Sequence, residues 1–182
     1  MPTTIYLPDS EPGPDVAHLA ASPASLAGLR IAVLDNGKPN AALVMTRAAE
    51  SLAKRTGARV ELVTKKGPQG RSANAAIPCA PDIFEKVLAQ ADLVITGTAD
   101  CGSCTAYSVY DTIELEKAGR PCVVVTTTQF APVAATMASS FGLAEARTLV
   151  LDHPIGGTSP VVLEQWADAA TERLVELFTA GS

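Results

Sequence analysis

Asp92-Leu93-Val94-Ile95-Thr96-Gly97-Thr98-Ala99-Asp100-Cys101-Gly102-Ser103-Cys104-Thr105 is the stretch whose reading decides the fold. The apolar run Leu93-Val94-Ile95 reads as a buried strand over Asp92 to Thr96. A polar turn holding two thiols follows it. Helical spacing then resumes from Ser103 or Thr105, either of which can cap a helix that Gly119 ends near Ala118. A strand feeding directly into a helix is the repeating unit of a parallel sheet, whose strands need crossover connections.

The same unit recurs on both sides. Upstream, Leu29 to Leu34 is a buried strand broken by Asp35-Asn36-Gly37. Asn40 is placed to cap a helix from Ala41 to Arg55, in which Leu43, Val44, Ala48 and Leu52 recur at helical spacing and which Gly57 ends. Ala58 to Val63 is a second strand, followed by a long loop from Lys65 to Pro81 and a helix from Asp82 to Ala91. Downstream, Pro121 to Thr126 is a strand nearly continuous in Val, and Pro132 opens the next helix. Ala146 to Leu151 is the last strand, and one amphipathic helix from Val161 to Phe178 closes the chain. These elements predict an α/β fold: a single doubly wound, flavodoxin-like domain over residues 29–182, with a five-stranded parallel sheet in the order 2-1-3-4-5. Residues 1–28, with Pro8, Pro12, Pro14 and Pro23, form an irregular N-terminal arm that lies over the domain or reaches a neighbouring subunit. His18 sits in that arm in a surface or packing role.

Composition narrows the function. Hydrophobic residues make up 47% of the 182, enough to bury one core without staples, and aromatics only 4%, so that core is aliphatic. A net charge of −5 with no basic stripe excludes a nucleic-acid partner. No apolar run reaches membrane-spanning length and no leader pattern opens the sequence. The expected setting is the cytoplasm, where a C-x-x-C pair serves redox or metal chemistry more often than it staples a fold.

In an open doubly wound sheet, ligands bind beyond the carboxyl ends of the strands. Those ends deliver Asn36, Lys38 and Asn40 from the first strand, Lys65 and Lys66 from the second, and Asp100, Cys101, Ser103 and Cys104 from the third. Thr127, Thr128, Gln129 and Phe130 come from the fourth, and Asp152, His153, Gly156 and Gly157 from the fifth. Cys101, Cys104 and His153 are the catalytic candidates. Backbone N–H groups at a helix start favour thiolate over thiol, so Cys101 can attack and Cys104 can resolve the product into a disulfide. His153 can carry the proton, with Asp100 orienting it or capping a helix. Asn36, Lys38, Asn40, Asp100, Ser103, Gln129, Gly156 and Gly157 are the substrate-binding candidates. The glycine pair can form an anion-binding turn, but no nucleotide-binding spacing accompanies it. Cys122 reads as core and Cys79 as a loop cysteine without a role. Three zinc ligands can be drawn from Cys101, Cys104 and His153, but with one C-x-x-C and no paired His motif no metal is expected.

Leu34-Asp35-Asn36-Gly37-Lys38-Pro39-Asn40, Asp100-Cys101-Gly102-Ser103-Cys104, Leu115-Glu116-Lys117-Ala118-Gly119-Arg120-Pro121 and His153-Pro154-Ile155-Gly156-Gly157 together resemble the UGSC-motif family of selenoproteins and their cysteine homologues. In the selenocysteine members the first position of the motif is Sec; here it is Cys101, and Cys104 matches its partner. The resemblance implies a redox-active or nucleophilic chalcogen at Cys101. More distantly, the stretch from the thiol pair to the His153 turn is similar to the selenoprotein B subunit of glycine and betaine reductases, from which a thiol-centred site carries over but not the substrate.

The expected activity is therefore thiol-dependent: an oxidoreductase, or a reductive cleavage or group transfer, on a small polar or anionic molecule. No cofactor is expected, and an external thiol would regenerate the pair. Alternatives are a cofactor-free racemase or lyase of the aspartate/glutamate racemase type, pairing Cys101 with His153 or Cys79, or a non-catalytic reductase subunit or metal-binding module. The expected partners are a small-molecule substrate and either a second copy of the chain or a partner reductase subunit.

Overall fold

The computed structural model describes residues 16–65 and 75–180. Five strands, β1 (Arg30–Asp35), β2 (Arg59–Thr64), β3 (Leu93–Ala99), β4 (Cys122–Thr127) and β5 (Thr148–Leu151), form one parallel sheet in the order β2-β1-β3-β4-β5. This is the expected flavodoxin-like order. Between and after them run α1 (Ala41–Thr56), α2 (Pro81–Gln90), α3 (Gly102–Lys117), α4 (Ala131–Ser140), α5 (Pro160–Ala169) and α6 (Thr171–Thr179).

Alternation along the strands divides the core. Ile31, Val33, Ile95 and Val125 face α1, α5 and α6, where Met45, Leu52, Leu163 and Phe178 meet them. Ala32, Leu34 and Val94 face the other way, toward Val87 of α2 and Leu115 of α3, and Val124 packs with Val109, Ile113 and Ala134. Every residue of β3 and β4 is buried, as central parallel strands covered on both faces must be.

Two expectations need correction. The third strand continues beyond Thr96 through Gly97, Thr98 and Ala99, because a parallel core strand tolerates threonines that hydrogen-bond to neighbouring backbone. Thr96 donates its hydroxyl to the Leu34 carbonyl (3.1 Å). Gly97 is needed where it stands. Its φ is +145°, and a Cβ there would lie 2.8 Å from the Val125 carbonyl oxygen. The pairing with β4 shifts register between Gly97 and Ala99, so the strand end is re-aimed at the turn it feeds. The expected single C-terminal helix is two, α5 and α6, meeting at Ala170.

Described residues of the arm lie against the domain. Ala17 donates to the Gly142 carbonyl (2.9 Å) and Leu26 enters the core. A buried ion pair between Glu116 of α3 and Arg147 holds the arm further along. The Glu116 carboxylate accepts from the backbone N–H of Ala20 (2.6 Å) and of Cys122 (2.8 Å). Arg147 donates to the Ala20 carbonyl (2.8 Å) and the Leu177 carbonyl (2.9 Å). His18 is exposed. Pro8, Pro12 and Pro14, and residues 66–74 of the long loop, lie outside the described residues. Among the described residues no helix is long and apolar enough to cross a membrane.

Candidate active site

At the carboxyl rim of the sheet some of the polar strand ends are tied together: Lys38 to Asp100, Asn36 to the Thr98 carbonyl, and Asn40 to the turn after His153, whereas Lys65 is tied to Asp111. At the centre of the rim, Cys101 is the N-cap residue of α3, extended at φ −153° and ψ 167°. Neither Ser103 nor Thr105 caps the helix, a correction with a plain cause: the helix already begins at Gly102, so both lie inside its first turn. Thr105 instead turns back, donating its hydroxyl (2.6 Å) and its N–H (3.0 Å) to the Cys101 carbonyl. Ser103 is exposed.

The two sulfurs are joined in a disulfide, with Cα atoms 5.4 Å apart. They differ in access. Cys104 is 3% exposed, whereas Cys101 is only partly buried. An incoming molecule or thiol therefore reaches Cys101 first.

Asp100 sits beneath this turn. It pairs with Lys38 (Nζ to Oδ1, 3.7 Å), the lysine 28% and the carboxylate 6% exposed in their side chains. The Thr98 hydroxyl donates to the same oxygen (3.4 Å). Lys38 thus stands at the turn as expected. Asp100 is engaged by Lys38 and Thr98, while the partner recorded for His153 is Thr127, whose hydroxyl lies 3.1 Å from Nδ1. Thr127 follows Thr126, and Thr126 both pairs with Ala99 and donates to its carbonyl (2.7 Å). The imidazole is therefore held one strand over from the thiol turn. His153 is exposed, Phe130 lies beside it with ring centroids 5.8 Å apart, and Gln129 is exposed in the turn between them.

Both asparagines bind the protein itself. Asn36 is 2% exposed; its amide donates to the Thr98 carbonyl (3.0 Å) and the Ser108 hydroxyl (3.3 Å), and its carbonyl accepts from the Lys38 N–H (3.2 Å). It stitches the end of β1 to β3 and α3, and so sets Lys38. Asn40 is the N-cap residue of α1 as expected, its carbonyl accepting from the Val44 N–H (3.0 Å), but its side chain makes no cap hydrogen bond. With φ +64° it sends its amide across to the carbonyls of Ile155 (3.0 Å) and Thr158 (3.1 Å). These two carbonyls bracket Gly156 and Gly157, and Gly157 makes the turn with φ +85°. Gly156 sits against Pro39, where a Cβ would be 4.0 Å from the Pro39 Cβ. The His153 turn and the Lys38 loop are thereby fastened together.

The remaining thiols lie elsewhere. Burial, and then the Asp111 carboxylate, push the Cys79 thiol up to about 12. Its backbone N–H donates to Asp111 (2.8 Å), which is also paired with buried Lys65. Asp111 is well down α3, roughly 15 Å along the axis from Cys101 at the usual rise per residue. Cys79 is therefore misplaced as the second thiol of a racemase pair. Cys122 is fully buried, as expected, and burial pushes its thiol well up. Among the described residues no group of three or more His, Cys, Asp or Glu side chains is arranged to hold a metal ion. The Thr98 carbonyl and the Ser108 hydroxyl as acceptors for Asn36, and the Lys65–Asp111 pair, had no local signal in the sequence, since these partners are distant along the chain.

The sequence profile of the UGSC family matches residues 4–180. Comparison with curated proteins gives no match, and the more distant likeness to selenoprotein B gains no support from it. Solved structures are similar at low identity. An NAD(P)H:quinone oxidoreductase from Methanothermobacter marburgensis is 14% identical, with a TM-score of 0.46 over 81% of this chain and 100% of that one. A short-chain flavodoxin associated with a non-canonical PDU bacterial microcompartment is 12% identical, with a TM-score of 0.45 over 81% and 97%. The flavodoxin-like domain of a Synechococcus sp. protein is 11% identical, with a TM-score of 0.43 over 81% and 99%.

Proposed function

This chain belongs to the UGSC family, and on that premise we propose that it is a thiol-dependent oxidoreductase or reductive group-transfer enzyme acting on a small polar or anionic molecule. In the reduced enzyme the Cys101 thiolate attacks an electrophilic atom of the substrate. A bond forms from sulfur to that atom, and the leaving group departs with its electron pair, taking a proton from His153. The Cys104 thiol then gives up its proton and attacks the Cys101 sulfur. The disulfide forms, and the substrate fragment leaves with the electron pair of the broken bond and gains a proton. The substrate has taken up two electrons, which came from the two thiols. An external dithiol returns the disulfide to thiols.

One observation carries this reading: a disulfide between a partly exposed and a buried cysteine at the start of a sixteen-residue helix. The positive end of that helix favours the Cys101 thiolate. Lys38, held by the Asn36 loop, offsets the charge of Asp100 just before Cys101 and would also meet an anionic group of the substrate. Thr127 holds one nitrogen of His153, leaving the other for proton transfer.

The test is pH-dependent alkylation of the dithiol-reduced protein, read by peptide mass. Cys101 should titrate below the ordinary cysteine value of about 8.5. In Cys104→Ser the substrate fragment should stay on Cys101, and in Cys101→Ser turnover should vanish with the fold intact. A Cys101 that titrates at or above the ordinary value, or a Cys101→Ser protein that still turns over, overturns the proposal.

A further inference from the structure

Away from the rim, residues 77–80, the start of α2 and the middle of α3 line an open cavity of about 610 Å³. Its walls are Ile77, Pro78, Ala80, Pro81, Phe84 and Tyr110. The Tyr110 ring is held edge-on by Phe141, centroids 5.8 Å apart, so this aromatic wall is in place before anything binds. The volume and the mainly apolar lining with a few polar groups are those of a small-molecule site.

The polar groups decide which molecule. Among the described residues the ionised lining groups are all carboxylates: Glu85, Asp111 and Glu114. Among the described residues Lys65 lies behind the wall and is committed to Asp111, their side chains 4% and 2% exposed. Asp111 spends its other oxygen on the Cys79 N–H. Glu114 pairs with Lys117 (3.0 Å) at the surface, and among the described residues Glu85 forms no ion pair. Among the described residues an anionic ligand would find lining carboxylates and no lining cation. An uncharged one would gain the walls and nothing from the rim.

We propose that this cavity binds a small apolar ammonium ion, the protonated form of an aryl- or alkylamine. Its carbon body packs on Phe84, Pro81 and Ile77, and its charge sits between Glu85 and Glu114 with the Tyr110 face in reach. The site is separate from the thiol turn and does not depend on the chemistry proposed there.

The test leaves Cys101 and Cys104 oxidised. Cys122 is fully buried, so of the two free thiols only Cys79, which lines the cavity, is accessible to a maleimide. The probes are 2-phenylethylammonium, 2-phenylethanol and 3-phenylpropionate, matched in body and different in charge. The ammonium should slow Cys79 modification saturably and bind, by calorimetry, at least about tenfold more tightly than either of the others. That preference should collapse in the Glu85→Gln/Glu114→Gln variant, and Ala80→Leu, which fills the cavity, should remove the protection. Equal protection by all three probes, no protection by the ammonium, or a preference that survives the double glutamine variant would overturn the proposal.

Discussion

The head of α3 and its flank each hold two cysteines, and the same helix treats them oppositely. At the head, Cys101 and Cys104 sit where backbone N–H groups stabilise negative charge, and the carboxylate of neighbouring Asp100 is paired with Lys38. Along the flank, Cys79 lies beside Asp111 and Cys122 beside Glu116, where burial and carboxylate charge both disfavour the thiolate. On the proposed function, where a sulfur lies relative to α3 decides how readily it reacts.

The contrast is most directly broken by competition. In the reduced protein at neutral pH, a limiting alkylating agent should modify Cys101 at least about a thousandfold faster than Cys79, given a thiol held near 12. Cys122 should react only on unfolding. Comparable rates at Cys101 and Cys79, read by peptide mass, would erase the distinction between head and flank.

Glu116→Ala attacks the flank at its root. It leaves Arg147 buried without its counter-charge and strips the acceptor from two backbone N–H groups. The expected loss is about 3–5 kcal/mol in urea unfolding, accompanied by alkylation of Cys122. Gly97→Ala acts on the strand that aims the head. A Cβ against the Val125 carbonyl, at a φ that side chains avoid, should cost about 2 kcal/mol or more. Asn40→Ala removes the two hydrogen bonds to the His153 turn and should cost about 1–2 kcal/mol, with His153 resonances shifting in NMR.

The smallest effect is a control that should leave both regions alone. Asp92 and Asp168, hydrogen-bonded by Arg30 and Arg47, are held down to about 2. Because the folded value lies below the unfolded value of about 3.9, their stabilisation is full above that pH and is lost as pH falls toward 2. Acid unfolding followed by circular dichroism should show Asp92→Asn and Asp168→Asn with less to lose over that window than the parent, and the order of thiol reactivity unchanged in both.

Much of the scaffold was legible because strand burial and helix spacing are local patterns. Five strands, their order and the rim they share followed from runs such as Leu29–Leu34 and from the glycines and prolines between them. The break at Ala170 was not legible: Leu163, Trp166, Ala170, Leu174 and Leu177 keep helical spacing across it, so periodicity sees one helix. The site divides the same way. Residue type and strand end marked Cys101, Lys38 and His153. The working roles of Asn36 and Asn40 depend on partners 62 to 118 positions away, and no local pattern carries that. The same holds for Thr127 as the holder of His153 and for the Asp111–Lys65 pair.

The double grip of Asn40 has a mechanical consequence. One amide spans the carbonyls on either side of the two glycines, while Pro39 rests against the first of them. A cation offered from one side of the entrance and an imidazole offered from the other are thus mounted on a common bracket. On the proposed function, a guest that pulls on the lysine would also tug the imidazole, and the entrance would answer as one jaw.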